Sequence, residues 1–226
     1  VSNFDVFKGV GVYPIILFGN RNLSNNYKEL KINKFSDLLN RNLEEVEELP
    51  DYKKFIDFNI KINSGATGFQ AKDIKKYVSE NSSKHSIPFT VSGNVDRYKW
   101  NNKKVKYMGD TYVEAYIEKN STIANTKISF WEKPKIVIAG MTKVIEAVYV
   151  KNELGLGVGI YGIYDFGNFT PYCLTGLLNS KFYSFYFKKK FKDKHLAGGY
   201  LAINKSTIEE FPLIEISNIN QSIIDL

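Results

Sequence analysis

Residues 170–194, TPYCLTGLLNSKFYSFYFKKKFKDK, set the architecture of this chain. Thr170 is suited to cap a helix, and Pro171 fits the first helical position, where its missing N–H would have had no partner anyway. Leu174, Leu177, Leu178, Phe182, Phe185 and Tyr186 recur at steps of three and four, so a single helix would carry them on one side. An apolar side of that length needs a sheet to bury it. Beyond it stand Lys188, Lys189, Lys190, Lys192 and Lys194, opposed only by Asp193, and His195 follows. A lysine run is more often a solvated face than a means of aiming charge at a polyanion. The rest of the chain is what raises the second reading.

On the C-terminal side, Tyr200 to Ile203 reads as a strand, Ser206 and Glu209 fit a capping box, and Pro212 stops the short helix that follows. On the N-terminal side, GVGIYGIY (157–164) reads as a strand. KIVIA (135–139) and KVIEAVYV (143–150) read as two more, joined by Gly140-Met141-Thr142. Further back, a strand over 87–92 runs into GNVDRYKWNNKK (93–104), which is turn-rich, basic and aromatic. SGAT (64–67) is a turn before a short helix over 71–80. FSDLLNRNLEEVEEL (35–49) has helical spacing ended by Pro50, and residues 10–18 are a β-rich run closed by Gly19-Asn20. The pattern predicts an α+β domain, a mixed, twisted sheet packed on the long amphipathic helix, over residues 46–226. Residues 1–45 read as the tail of an upstream domain and a connector.

A length of 226 residues is enough for one good core, or one core and a fragment of another. The net charge is +7, and it is locally segregated, with a lysine cluster at 188–194 and an acidic block of Glu44, Glu45, Glu47, Glu48 and Asp51. That asymmetry favours an anionic partner, nucleic acid first among them. With Cys173 as the one cysteine, neither a disulfide framework nor a cysteine zinc site can be built, which fits a reducing compartment such as the cytoplasm. No apolar run reaches the roughly 20 residues of a membrane helix. The chain opens on Val1 without a methionine and reads as an excised piece of something longer.

Several motifs invite a chemical reading. Gly157-x-Gly159-x-x-Gly162 matches a dinucleotide fingerprint as a string, but the next helix waits until Pro171; glycines that admit a close neighbour are the better account. Phe7-x-Gly9-x-Gly11 lacks the strand that a cofactor loop would follow. His85 and His195 are far apart and have no ligand-spaced companions, so no metal site is assigned. Glu29-Leu30-Lys31 with Asp5 forms half of a nuclease-like set, which leaves a metal-dependent nuclease as a rival reading. No catalytic constellation stands out.

Four segments in order, SGNVDRYKW (92–100), EKPKIVIAG (132–140), YCLTGLLNSKFYSFYFKK (172–189) and AGGYLAINKSTIEEFPLIEI (197–216), carry a family resemblance. Together they resemble the C-terminal target-recognition domain of TaqI-like N6-adenine DNA methyltransferases, a module also fused into Type IIG restriction-modification enzymes. Residues 1–20 resemble the closing strands of the methyltransferase domain that precedes such a module. Type I specificity subunits share the LLNS-type helix and stay open as an alternative, although the heptad helices of those subunits are not visible. The family's methyl-transfer loop needs adjacent prolines to hold a flipped base. Here Pro14, Pro50, Pro88, Pro134, Pro171 and Pro212 all stand apart. The resemblance therefore implies a piece that recognises double-stranded DNA, with no cofactor of its own, while an upstream methyltransferase domain of the same chain would hold S-adenosylmethionine.

Such a domain positions itself with cations on phosphates and selects with side chains at groove edges. The phosphate candidates are Lys188, Lys190, Lys192 and Lys194, with His195 offering a backbone contact, and Lys103 and Lys104 after Trp100. The base-edge candidates are Arg97 and Lys99, flanked by Tyr98 and Trp100, and Thr142 with Lys143 on the turn between two strands. An ion pair of Arg97 with Asp96, and a core role for Tyr98 and Trp100, are the competing assignments. A protein-binding module with an aromatic surface is the remaining alternative.

Overall fold

A computed structural model describes residues 53–191 and 194–213. In chain order its elements are Lys61–Ser64 (β1), Gly68–Lys75 (α1), Val78–Ser79 (β2), Ser86–Thr90 (β3), Val95–Asp96 (β4), Lys99–Trp100 (β5), Lys103–Tyr107 (β6), Asp110–Glu114 (β7), Tyr116–Glu118 (β8), Asn125–Glu132 (α2), Lys135–Ala139 (β9), Met141–Thr142 (β10), Ala147–Val150 (β11), Gly155–Leu156 (β12), Ile160–Asp165 (β13), Pro171–Leu178 (α3), Lys181–Lys190 (α4), His195–Leu196 (β14), Tyr200–Ala202 (β15) and Lys205–Glu209 (α5). Helices and several sheets share one chain without βαβ repetition, which is the α+β class expected.

The central sheet runs β1-β13-β9-β11, every neighbour antiparallel. All five residues of β9 are buried, because α3 lies against β9 and β11 while the hydrophobic cluster of Phe89, Trp131, Leu156 and Ile160 includes Val137 and Ala139. A strand covered on both faces reads as an unbroken apolar run, and IVIA (136–139) does, behind the buried Lys135. A second sheet, β12-β3-β8-β2, contains the parallel pair β12 and β3. A three-stranded sheet β10-β15-β14 and the hairpins β4–β5 and β6–β7 complete the β structure. Gly162 allows the sheet and α2 to meet: a Cβ there would lie 2.6 Å from the ring of Phe130. This is the close approach assigned to the glycine string.

The predicted long helix is two helices. Thr170 caps the first by accepting from the Cys173 N–H at 3.1 Å, as expected, with Pro171 at its start. Asn179 ends it, and Ser180 begins the second by accepting from the Tyr183 N–H at 3.2 Å. The break shifts the phase of the apolar stripe. In α4 the buried residues are Tyr183, Ser184 and Phe187, whereas Phe182, Phe185 and Tyr186 are half-buried. Tyr183 and Phe187 meet Phe211 edge-on, and Tyr183 also meets Phe55, so the C-terminal segment closes over this helix.

Three more boundaries differ from expectation. The strand predicted over 143–150 shortens to β11, because the Thr142 hydroxyl donates to the Val144 carbonyl and the chain bends at residues 143–144. The helix predicted over 71–80 starts at Gly68 and gives way to β2. The C-terminal capping box is Asn204 with Thr207, two residues earlier than Ser206 with Glu209. The strand over 10–18, the connector helix over 35–49, the glycine string at Phe7, the set of Asp5, Glu29 and Lys31, and Lys192 lie outside the described residues.

Candidate nucleic-acid interface

One end of the central sheet gathers the loops. The Gly140 N–H donates to the Gly159 carbonyl at 2.7 Å, and the Gly65 N–H to the Ile160 carbonyl at 2.8 Å. The Ala139 N–H donates to the Glu146 carbonyl at 3.1 Å. Onto this end folds the β4–β5 hairpin, whose two-residue turn is Arg97-Tyr98. The Tyr98 N–H donates to the Ala147 carbonyl at 2.9 Å, and its backbone is left-handed, with φ of 62°. That fixed tip holds the Tyr98 ring out in the open and leaves Trp100 half-buried against the core.

Arg97 does not pair with Asp96. The Asp96 carboxylate accepts from the backbone N–H of Arg97 at 2.7 Å and pairs with Lys99 at 3.1 Å, and both contacts hold its carboxyl below the usual range, the backbone N–H most strongly. The Arg97 Nε is buried and has no hydrogen-bond acceptor among the described residues. Glu146 stands close by. Burial, and then the charge of Asp96, push its carboxyl up, while the Arg97 guanidinium pulls the other way. The tip thus combines a guanidinium that is not paired with Asp96 and a lysine that is.

The turn after β9 divides its two candidates. Lys143 is exposed, with its ammonium 5.5 Å from the centre of the Tyr200 ring. Thr142 is buried, and its hydroxyl is committed to Val144, so the side chain has nothing to present to a base edge. The local turn, invisible in the string MTKV, is the reason. Thr142 and His195 both lie opposite Leu201, so β15 sets the His195 backbone two strands from Thr142, roughly 10 Å away. Lys194 leads into that strand, and Lys188 and Lys190 are exposed in the last turn of α4. Lys103 pairs with Glu114 at 3.8 Å; Lys104 is exposed with φ of 51°. Both join the tip through Asn94, whose side-chain amide donates to the Lys103 carbonyl at 2.6 Å and to the Asn101 side chain at 2.9 Å.

Residues without any site assignment in the sequence hold this arrangement together. The Asn179 side chain, 4% exposed, accepts from the Ala147 N–H at 2.9 Å and donates to the Ala147 carbonyl at 2.8 Å. Ser184 accepts from the Ile145 N–H at 3.0 Å. The LLNS phrase was a signal for the first of these; nothing local marks Ser184 or Asn94.

A family model described as the TaqI-like C-terminal specificity domain matches residues 69–213, more than half of the chain. The chain belongs to this family. No curated protein matched it. The matched span of the TaqI-like specificity domain runs from α1 to the end of the C-terminal segment packed on α4. It therefore contains the Arg97-Tyr98 tip, the Lys143 turn and the Asn179 clamp, together with the lysines of α4. No helix among the described residues is long and apolar enough to cross a membrane.

Proposed function

We propose that this specificity domain selects the DNA target of an N6-adenine methyltransferase in a restriction-modification system, acting in the cytoplasm and performing no chemistry itself. In this reading S-adenosylmethionine and methyl transfer belong to a methyltransferase domain upstream in the same protein, in keeping with the separated prolines of the 226 residues. The observation that supports it most is the Arg97 tip: a guanidinium that makes no ion pair with the neighbouring Asp96, on a turn fixed to the edge of the central sheet. A guanidinium can hold guanine O6 and N7 together, so Arg97 is the first base-edge candidate and exposed Lys143 the second. Lys188 and Lys190, with Lys104, supply phosphate contacts whose strength falls with salt.

Binding of fluorescent duplexes, a selected target against random sequence, over a salt series tests this. Arg97→Ala is expected to reduce preference for the target by about 1–3 kcal/mol at one base pair. Lys190→Ala should weaken target and random duplex alike and lower the salt slope by about one unit. Equal losses on both duplexes for Arg97→Ala would remove its assigned role, and no duplex binding at low salt would overturn the reading.

A further inference from the structure

The β6–β7 hairpin presents a face that the base-edge candidates above do not include. Val105 and Tyr107 point into the core, and Tyr112, opposite Val105, packs against it. Alternation along the strands then turns Lys106, Thr111 and Val113 outward, and all three are exposed, Val113 at 70%. Lys104 is exposed next to them. Neither Lys104 nor Lys106 has an ion pair among the described residues, in contrast to Lys103 with Glu114 and Lys75 with Asp110.

The hairpin is held at three places. At the tip, the Lys75 ammonium donates to the Met108 carbonyl at 2.8 Å and pairs with Asp110 at 2.9 Å. Along the outer edge, the Val113 N–H donates to the Glu80 carboxylate. At the base, Asn94 binds the Lys103 carbonyl and so joins the ribbon to the segment that carries Arg97. A rigid two-stranded ribbon of this kind, with strands about 4.8 Å apart and five residues or roughly 17 Å long, fits a major groove about 12 Å wide.

We propose that the β6–β7 ribbon enters the major groove of the target duplex, with Lys106 and Thr111 at base edges, Val113 against a thymine methyl group and Lys104 nearest a phosphate. The inference rests on the DNA-recognition reading and adds a second point of sequence choice next to Arg97. The occupant is duplex DNA because the outward face combines uncompensated positive charge with a β-branched apolar surface. Lysine on guanine acceptors and an apolar side chain on the thymine methyl are the pairings the groove offers.

Selection from a randomised duplex pool, followed by dimethyl sulfate probing of guanine N7 on the selected duplex, tests the ribbon. The wild-type chain is expected to protect guanines in a short block adjoining the one that Arg97→Ala disturbs. A Lys106→Gln/Val113→Thr variant should keep the melting temperature and lose protection in that block. It should discriminate there roughly five- to 150-fold less well. A variant that selects the same motif with the same protection overturns the ribbon proposal and leaves DNA recognition standing. A wild-type chain that binds no duplex removes both.

Discussion

Asn179 and Ala147 exchange two hydrogen bonds, and the same Ala147 carbonyl also receives the N–H of Tyr98. β11 is an edge of the central sheet, and Asn179 acts on that edge as a short piece of partner strand. The hairpin bearing Arg97 docks on the same carbonyl. A residue that ends a helix thus also fixes where the candidate recognition tip stands. Asn179→Ala would leave the buried Ala147 N–H without its partner, and an unsatisfied buried group costs about 1–3 kcal/mol beyond the lost hydrogen bonds. A loss of about 2–4 kcal/mol in urea unfolding is expected. Asn179→Asp should be no better, because it keeps the acceptor but turns a carboxylate oxygen toward the Ala147 carbonyl. An alanine variant within about 0.5 kcal/mol of wild type, the range of ordinary surface changes, would mean that the clamp carries little stability.

The helix break predicts a contrast between neighbours in sequence. Phe187 is fully buried against Phe211, and Phe187→Ala is expected to cost about 3–5 kcal/mol. Phe182, which the continuous helical stripe would bury, is only half-covered, and Phe182→Ala should cost clearly less. The order of the two midpoints in thermal unfolding checks the phase directly; a larger loss at Phe182 would restore the unbroken helix.

That contrast also marks what the sequence reveals. β9 was legible to the residue because Ile136 to Ala139 is an apolar run rich in β-branched residues, too short for a helix and closed by Gly140, and the Thr170-Pro171 start was legible because capping is local. The break at Asn179-Ser180 was not: both residues keep helical spacing, and what draws Asn179 away lies 32 positions earlier in the chain. Thr142 was misplaced for a similar reason, since its burial depends on a turn with Val144. The Arg97 tip was visible as a polar, turn-rich phrase. The β6–β7 ribbon, with Met108-Gly109 as its turn and alternation through Thr111 to Glu114, carried a period-two signal that the basic run at Lys103-Lys104 obscured.

Gly162 predicts a steric effect free of any charge. A Cβ at 2.6 Å and 3.0 Å from two atoms of the Phe130 ring forces α2 away from β13 or turns the ring out of place. Gly162→Ala is therefore expected to destabilise by about 1–3 kcal/mol, as overpacking does. Pairing it with Phe130→Leu, which removes the colliding atoms, should make the double variant less destabilised than the sum of the two single changes. Simple additivity in a double-mutant cycle would separate the two residues.

Lys135 predicts a pH dependence of known sign. The side chain is fully buried at the start of β9, and its ammonium donates to the Trp131 carbonyl at 2.7 Å, in the last turn of α2. A helix C-terminus favours a cation, yet burial outweighs it and brings the group down to about 8 from an ordinary 10.5, with Glu153 pulling weakly upward. Between those two values the unfolded chain holds a proton that the folded chain has released, so stability rises with pH across this window. Below it both states are charged and the penalty is complete. Tyr107, raised to about 12 by burial, acts in the opposite sense once the unfolded tyrosine ionises near 10, which confines the useful range to pH 8–10. Lys135→Met keeps the apolar stem, and the Trp131 carbonyl retains the Leu154 N–H at 3.0 Å. The variant should match or exceed wild type at pH 7, and wild type should gain on it by on the order of 2 kcal/mol by pH 9.5 in urea unfolding. Parallel stability curves for the two proteins between pH 7 and 9.5 would show that Lys135 stays charged inside the fold.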